Sequence, residues 1–342
     1  MYNLVGKYFG SMRFPVFCIG LLLLAVTSCD KVTNPIIATT KYATLPTTTP
    51  DHITMSTGDN LTKVLLEDYM GHFCTNCPAA VTVADGILSG PNGNQVVSME
   101  VNVGYEADTA HTKGGPAVPG GLPDTAFKNN YITTAGTAWD AALTDCGVQG
   151  WPQGMIDRHG YNNPPGPGSP DVQYSDWADS VSTILTTTPQ VASISMVDSC
   201  WIKQQIFGTQ VKVALNNAPT TGYTYYLQMA VVEDSIADWQ INGGTALQYY
   251  IHHFVLRSDI NGSWGNEITF TGAGIPVTNY YTFTSTNFRY NGTSLITTTS
   301  APAVPAKLWN MAHCYVIAFL YQRTNGNLGS DYKVLQAQIV HL

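Results

Sequence analysis

Charged side chains are scarce in this chain of 342 residues. Only 15 Lys and Arg residues stand against 23 Asp and Glu residues, which gives a net charge of −8. Proteins that bind nucleic acid by neutralising its phosphates need clustered Lys and Arg. Because no such basic cluster is visible, the composition argues against a nucleic-acid partner.

The chain also lacks the short motifs of two common enzyme classes. It contains no G-x-x-x-x-G-K-[ST] sequence, the phosphate-binding loop of many nucleotide-binding enzymes. It contains no G-x-S-x-G sequence either, which marks the nucleophile of many hydrolases. We therefore expect neither a nucleotide nor another cofactor.

Long hydrophobic runs are missing except near the start of the chain. Lys7 and Arg13 precede an apolar stretch, residues 14–26, that is too short to span a bilayer comfortably. Residues 1–28 therefore read as a signal peptide for export. The segment Leu24-Ala25-Val26-Thr27-Ser28-Cys29 resembles a bacterial lipobox, which implies a lipid anchor on Cys29 and attachment to a membrane. The alternative is an ordinary signal peptide with an incidental cysteine.

Composition changes divide the rest of the chain into three parts. Residues 29–60 are rich in Thr and Pro and show no sustained periodicity, which predicts a flexible tether. Residues 61–188 alternate strand and helix patterns, whereas residues 189–342 show about eight short apolar alternations separated by turns. We therefore predict an α/β domain followed by an all-β, immunoglobulin-like sandwich.

Two cysteines lie between a predicted strand and a predicted helix. The motif is Cys74-Thr75-Asn76-Cys77-Pro78. It follows a predicted strand at 63–69 and lies at the start of a predicted helix at 75–88. This placement puts the first sulfur over a helix N-terminus, where free N–H groups and the helix dipole favour a thiolate. The motif therefore predicts dithiol redox chemistry.

Export beyond the cytosol permits disulfides among the remaining cysteines. The simplest pairing joins Cys74 to Cys77 and Cys200 to Cys314, and leaves Cys146 unpaired. The sequence alone does not fix this connectivity.

A distant proline strengthens the redox interpretation. In thioredoxin-like proteins a proline, usually after a cis peptide bond, faces the two cysteines, and Trp151-Pro152 stands before a predicted strand at 154–158. This resemblance implies that Cys74 is the nucleophile and Cys77 the resolving thiol. It also implies that Asp68, or its neighbour Glu67, takes up a proton from Cys77.

Other interpretations of the same residues remain open. Asp68 could be a solvated acid at a strand end, and Pro152 an ordinary turn proline. His72, Cys74 and Cys77 could also supply three metal ligands, although no fourth ligand follows at a zinc-like spacing. We expect His72 to face water. His252 and His253, neighbours on a predicted strand, would point to opposite faces and read as structural.

These segments together resemble the Omp-twenty-eight-related outer-membrane lipoproteins of Bacteroidetes. The resemblance rests on the lipobox, the cysteine segment from Val64 to Pro78, Gly150-Trp151-Pro152, and His252-His253-Phe254-Val255-Leu256-Arg257. It implies a thioredoxin-like domain, a β-sandwich and an envelope location. The chain departs from the thioredoxin pattern at two places. The Pro/Gly-rich stretch 162–168 stands where the next edge strand would begin, so that strand is expected to be short or missing. Thr75-Asn76 lies between the cysteines, and because these two residues help to set the reduction potential, the resemblance does not fix its value.

Two functions follow from the sequence. The first is thiol–disulfide exchange with protein thiols or disulfides in the cell envelope, with Cys74, Cys77, Pro152 and Asp68 at the site. The second is a surface binding or adhesion protein that uses the β-sandwich for an unknown ligand and keeps Cys74 and Cys77 as an inert disulfide.

Overall fold

The computed structural model describes residues 45–56, 61–108, 121–123, 126–140, 150–159, 170–204, 206–284, 309–324 and 332–342. Most regular elements in these ranges are β-strands, helices are few, and the sheets are mixed and antiparallel. This confirms the prediction of a β-rich chain with some helical content.

The first part of the described chain alternates strands and helices. In chain order the elements are β1 (His52–Ser56), β2 (Val64–Met70), α1 (Cys77–Leu88), β3 (Val96–Asn102), α2 (Gly104–Ala107), α3 (Thr134–Asp140), β4 (Gln153–Ile156), β5 (Asp171–Gln173) and α4 (Trp177–Thr187). β2 and β3 are buried along their whole length. Parallel strands that are covered on both faces show such continuous burial.

The second part consists of strands. They are β6 (Ala192–Trp201), β7 (Ile206–Leu215), β8 (Tyr223–Glu233), β9 (Ile236–Asn242), β10 (Thr245–His252), β11 (Val255–Asp259), β12 (Asn266–Ile268), β13 (Val277–Thr284), β14 (Cys314–Thr324) and β15 (Val334–His341). Short one-turn 3₁₀ segments at 93–95, 174–176, 202–204 and 311–313 complete the regular structure of the described ranges.

These strands form two main layers. β1, β6, β7 and β13 make a four-stranded antiparallel sheet, and β9 pairs with β10 in a separate hairpin. The larger sheet has the order β15-β14-β8-β11-β3-β2-β4-β5, with β12 beside β8. Core residues of the smaller sheet pack against β8 and β14 of the larger one. The described part of 189–342 is therefore two-layered.

The larger sheet joins the two predicted domains. β11 lies parallel to β3, with Val255 opposite Glu100, and the Glu100 N–H donates to the Phe254 carbonyl at 3.0 Å. The described residues all belong to one compact unit, Ile36–Leu342. The sheet thus crosses the expected boundary at 188/189, while the domain limits themselves stay a prediction.

The tether prediction is wrong for one segment. Residues 52–56 form β1, which pairs antiparallel with β6 from His52 opposite Cys200 to Ser56 opposite Met196. The sequence pattern also predicts a helix near 124–131, and this prediction is wrong for the described residues: 126–131 contain no helix, and Phe127 has a positive φ of 54°. In both places a contact distant in sequence determines the backbone.

The apolar alternation at 248–257 predicts a single strand, but the structure divides this segment between β10 and β11. Phe254 lies between them with φ of 50°, outside the range that a strand adopts. The edge strand expected to be short or missing after the Pro/Gly-rich stretch is present as the three-residue β5. Residues 162–168 themselves lie outside the described residues. In the described ranges, no helix is both long and apolar enough to span a membrane.

Candidate functional site

Cys74 and Cys77 form a disulfide at the start of α1. Cys77 is the first residue of the helix, and Pro78 occupies its first turn, where the missing N–H costs no helical hydrogen bond. The Cys74 N–H donates to the Gly71 carbonyl at 3.1 Å and closes a turn before the helix. The motif therefore lies at the carboxyl end of β2 and at the positive end of the α1 dipole.

The segment with the predicted proline meets this disulfide through Trp151. The peptide bond between Trp151 and Pro152 is cis, and Pro152 immediately precedes β4, which pairs with β2. The Trp151 side chain packs against a small buried cluster made of Met70, Cys74, Cys77 and Val81. The structure thus brings the Trp151-Pro152 segment and the two cysteines together.

A hairpin from the second half of the chain covers the cysteine loop. We call β9 and β10, residues 236–252, the covering hairpin. The amide of Gln240 donates to the carbonyls of Gly71 at 3.2 Å and Cys74 at 3.0 Å. The Ile241 and Gly243 N–H groups donate to the carbonyls of residues 72 and 75 at 2.8 and 3.0 Å.

The covering hairpin leaves little of the disulfide exposed. Tyr250 of β10 packs on the sulfur cluster from the side of the hairpin. Cys74 retains 5% of its surface and Cys77 none. Cys74 is therefore the more exposed residue of the pair, which is the order expected for a nucleophile and a resolving thiol.

A row of titratable side chains lies below α1, on the same sheet face as Met70 of the sulfur cluster. Asp68 on β2 stands opposite Glu100 on β3, and the two carboxyl groups share the face that α1 covers. Glu100 accepts a hydrogen bond from the Asn102 amide at 2.7 Å and contacts His252 Nδ1 at 3.2 Å. We call Asp68, Glu100 and His252 the acid–histidine row.

Burial and the charge of Glu100 together shift the pKa values in this row. Asp68 is 3% exposed, and burial, followed by the charges of Glu100 and Asp85, raises its pKa well above the usual range. Burial alone would lower the pKa of His252, but its hydrogen bond and charge interaction with Glu100 raise the pKa overall. Burial thus favours the neutral form of Asp68, whereas Glu100 favours the charged form of His252.

His72 is not the solvent-facing residue that the sequence suggested. It is fully buried, and its Nδ1 lies 2.7 Å from the Trp239 carbonyl. A carbonyl only accepts hydrogen bonds, so Nδ1 carries the proton. The ring stacks on Tyr131 with centroids 5.0 Å apart and meets the His252 ring edge-on at 5.3 Å. Burial and the charge of His252 lower the pKa of His72, which stays neutral.

A second contact fixes the covering hairpin at β9. Asp238 accepts hydrogen bonds from the Tyr131 hydroxyl at 2.8 Å and from the Asn129 amide at 2.7 Å. At the other end, the His253 ring lies 2.9 Å from Asp234, between β8 and β9. The hairpin is thus tied to the loop 126–131 and to the end of β8.

Glu67 does not share the position of Asp68. Neighbouring residues of a strand point to opposite faces, and Glu67 forms a buried two-pronged ion pair with Arg158 at 2.7 and 2.6 Å. The Arg158 guanidinium also lies 4.9 Å from the ring centres of both Trp139 and Phe319. The alternative in which Glu67 takes the proton of Cys77 therefore loses its support.

The predicted disulfide between Cys200 and Cys314 is wrong. Both thiols are free and buried, and they contact different partners. The Cys200 sulfur lies 3.8 Å from the Met311 sulfur, and the Cys314 thiol donates to the Asn310 carbonyl at 3.3 Å. Burial raises the pKa of Cys200 to about 12, so its thiol stays protonated. Cys29 and Cys146 lie outside the described residues.

The metal interpretation also finds no geometric support. Cys74 and Cys77 are bonded to each other, and His72 directs one ring nitrogen to a backbone carbonyl. Within the described ranges, no group of three or more His, Cys, Asp or Glu side chains is arranged to hold a metal ion.

Sequence reasoning missed Glu100 and the functional position of His252. Glu100 lies in the apolar run of β3 and belongs to no sequence motif. His252 was noticed as half of a histidine pair, but its contact with Glu100 spans 152 residues. A charged residue inside an otherwise apolar strand was the available sign, because such burial requires a partner.

Comparisons with known proteins show a likeness of fold. No family model and no curated protein matches the chain. Among solved structures, the chain is similar to HBP35 of Porphyromonas gingivalis, with a TM-score of 0.57 and 14% sequence identity, over 84% of this chain and 77% of that one. At this identity the likeness concerns the fold alone.

Proposed function

We propose that this protein is an exported thiol–disulfide oxidoreductase that acts through Cys74 and Cys77. The observation that carries the proposal is the disulfide at the N-terminus of α1, where Trp151 of the Trp151-Pro152 segment packs against it. Helix N-termini favour thiolates, so the arrangement suits a sulfur that alternates between bonded and free forms.

A thioredoxin-like arrangement of the first part supports this proposal. The strands follow the order β3-β2-β4-β5, in which β3 is parallel to β2, and β4 and β5 each run antiparallel to their neighbour. α1 and α4 cover one face of these strands. In the second part, the layer of β6, β7 and β13 over β8 and β14 supports an immunoglobulin-like sandwich.

The chemistry requires no cofactor. A substrate thiolate attacks the Cys74 sulfur, the bond to Cys77 breaks, and Cys77 leaves with the electron pair and takes up a proton. A second substrate thiolate then displaces Cys74, so the substrate becomes a disulfide and the protein a dithiol. In the reverse direction, Cys74 attacks a substrate disulfide and Cys77 must lose its proton. Asp68 is the group that accepts this proton.

The location and partners follow from the start of the chain and belong to the same proposal. The lipobox at 24–29 supports a lipid anchor on Cys29 and a place in the outer membrane of the cell envelope, as in the Omp-twenty-eight-related lipoproteins. Substrates there are protein thiols or disulfides, since exported proteins carry the disulfides that such an enzyme exchanges.

An insulin-reduction assay tests this function. With dithiothreitol as electron donor, we expect the protein to accelerate insulin reduction, and we expect Cys74→Ser and Cys77→Ser to reduce the rate to that of dithiothreitol alone. Cys200→Ala is the matched control, because its buried thiol contacts no site residue named above. If Cys74→Ser retains the activity of the unmodified chain, the proposed function is wrong.

One observation favours a second function. Cys74 is only 5% exposed under the covering hairpin, which suits an inert disulfide in a surface protein that binds a ligand through its β-sandwich. That function predicts no acceleration of insulin reduction. It also predicts that the Cys74→Ser variant binds its ligand on the cell surface as well as the unmodified chain does.

A further inference from the structure

We propose that Glu100 and His252 are positioning residues of the Cys74–Cys77 couple, and that they act through Asp68 on the proton that Cys77 must release. This inference rests on the proposed function and adds to it two residues from β3 and from the end of the covering hairpin. Neither residue touches the sulfur atoms in the contacts described above.

The geometry links the three side chains of the acid–histidine row. Asp68 and Glu100 are directly opposite each other on parallel neighbouring strands, so their carboxyl groups lie side by side. The Glu100 carboxylate contacts His252 Nδ1 at 3.2 Å. All three residues are nearly excluded from water, with exposed fractions of 3%, 3% and 0%. At such depth, charges interact far more strongly than on the surface.

One oxygen of Asp68 is ready to exchange a proton. Its Oδ1 is buried and makes no hydrogen bond to another protein group. The acids that face Asp68 are Glu100 from β3 and Asp85 from α1, and both oppose its ionisation. Tyr250, on the covering hairpin, stays protonated because burial and these acids raise its pKa. The charge of Glu100 is therefore the largest neighbouring influence on the Asp68 carboxyl group.

His252 balances the charge of Glu100. The groups around its ring are Glu100 from β3, Asp238 from β9 and the neutral His72 from the loop after β2. The rings of Tyr131 and Tyr250 also contact it, with centroids at 6.0 and 5.0 Å. The His252 cation therefore faces Glu100, and it limits how strongly Glu100 repels a negative charge on Asp68.

The step that this row controls is the closure of the disulfide. In a mixed disulfide between Cys74 and a substrate, the Cys77 thiol gives its proton to the Asp68 carboxylate. The Cys77 sulfur then attacks the Cys74 sulfur, the new bond forms, and the substrate leaves as a thiolate with the electron pair. The rate depends on the fraction of Asp68 that is ionised. This fraction rises with pH around the pKa of Asp68, and the pKa depends on Glu100 and His252.

A model reaction measures this step alone. The reduced protein is mixed with an aromatic disulfide that places a thionitrobenzoate group on Cys74, and closure by Cys77 releases a second thionitrobenzoate anion. The part of the release that Cys77→Ser abolishes is recorded against pH. Release of thionitrobenzoate above the Cys77→Ser background shows that Cys77 closes the disulfide with Cys74.

The two substitutions should move the pH profile in opposite directions. Glu100→Gln removes the like charge beside Asp68, so we expect the midpoint to fall by about one pH unit. His252→Gln leaves Glu100 uncompensated, so we expect the midpoint to rise by a similar amount. In the Glu100→Gln background, His252→Gln should move the midpoint little further, because the Glu100 charge that His252 compensates is already removed. Glu267→Gln on the exposed surface of β12 should not move the profile.

The outcomes separate this inference from the proposed function. If the unmodified protein shows no release that depends on Cys77, both are wrong. If release occurs but Glu100→Gln and His252→Gln leave the midpoint in place, or move it in the same direction, only the role of Glu100 and His252 is wrong. A merely structural role would alter stability without opposite shifts of the midpoint.

A measurement on the unmodified protein covers the case in which these variants do not fold. Carbon-13 NMR of the carboxyl groups follows Asp68 and Glu100 during a pH titration. We expect Asp68 to titrate well above about 4, and the chemical shift of the Glu100 carboxyl carbon to respond to the change of charge on Asp68 because the two residues are opposite each other. Titration of Asp68 near 4, with no response of Glu100, would overturn the inference.

Discussion

Replacing Arg158 with methionine is expected to lower the free energy of unfolding by about 3–5 kcal/mol. The substitution leaves Glu67, which has no exposed surface, without the guanidinium that donates two hydrogen bonds to it. Removing one member of a buried ion pair costs far more than removing both, because the remaining charge has no compensation. Urea unfolding of the single variant, followed by circular dichroism, measures this loss.

The double variant Glu67→Gln with Arg158→Met is the matched control. Because it removes both charges and keeps most of the side-chain volume, we expect it to regain much of the lost stability. The pair also lies next to the site, since Glu67 and Asp68 are consecutive residues of β2. A single variant as stable as the unmodified chain would show that the buried pair does not hold β2 against the segment after β4.

Replacing Gly71 with alanine is expected to cost about 3 kcal/mol or more and to displace the cysteine loop. An added β-carbon would lie 2.5 Å from the backbone nitrogen of Ala107 and from the carbonyl oxygen of Glu106. The obstacle is backbone, which moves less readily than a flexible side chain, so this is overpacking without an easy relaxation. The neighbouring Phe73 N–H donates to the same Glu106 carbonyl at 2.9 Å.

Gly86→Ala is the matched control for Gly71→Ala. Gly86 lies exposed in α1, and nothing is within 4 Å of an added β-carbon. Alanine there should raise the free energy of unfolding by about 0.5–1 kcal/mol, because a helix favours it over glycine. Urea unfolding and the rate of Cys74 alkylation after reduction compare the two variants. Equal stability of Gly71→Ala and the unmodified chain would contradict the close packing of the loop against α2.

Local sequence patterns were sufficient for the elements that carry the cysteines. The apolar run of β2 and the Cys-Pro start of α1 each specify their own backbone, and both elements were predicted within two residues of their observed limits. The Trp151-Pro152 segment was predicted from its position before a strand, and it lies beside the sulfur cluster. Each of these signals lies within a few residues of the feature that it predicts.

Contacts between distant residues were beyond the reach of such patterns. β1 is a strand because it pairs with β6, whose paired residues lie 140 to 148 positions further along the chain. The covering hairpin meets the cysteine loop through Gln240, whose amide bonds the Cys74 carbonyl across 166 positions. Periodicity in a short window describes which face of a strand is apolar, but it contains no information about a distant partner.

The covering hairpin is the feature that most changes the functional argument. It pairs with the backbone of the cysteine loop and leaves Cys74 as the one cysteine of the disulfide with any exposed surface. An exchange reaction must therefore begin at Cys74, while Cys77 reacts only from within the protein. Under the proposed function, this asymmetry makes Cys74 the nucleophile and Cys77 the resolving group.

The central claim is that the Cys74–Cys77 disulfide opens and closes reversibly in the folded protein, and a redox titration tests it most directly. The native protein is equilibrated with mixtures of reduced and oxidised dithiothreitol, alkylated, and analysed by mass spectrometry for Cys74 and Cys77, while circular dichroism follows the fold. We predict one reversible two-electron transition, with unchanged circular dichroism and with Cys74 alkylated faster than the buried Cys77. A disulfide that stays closed until the protein is denatured would contradict the claim.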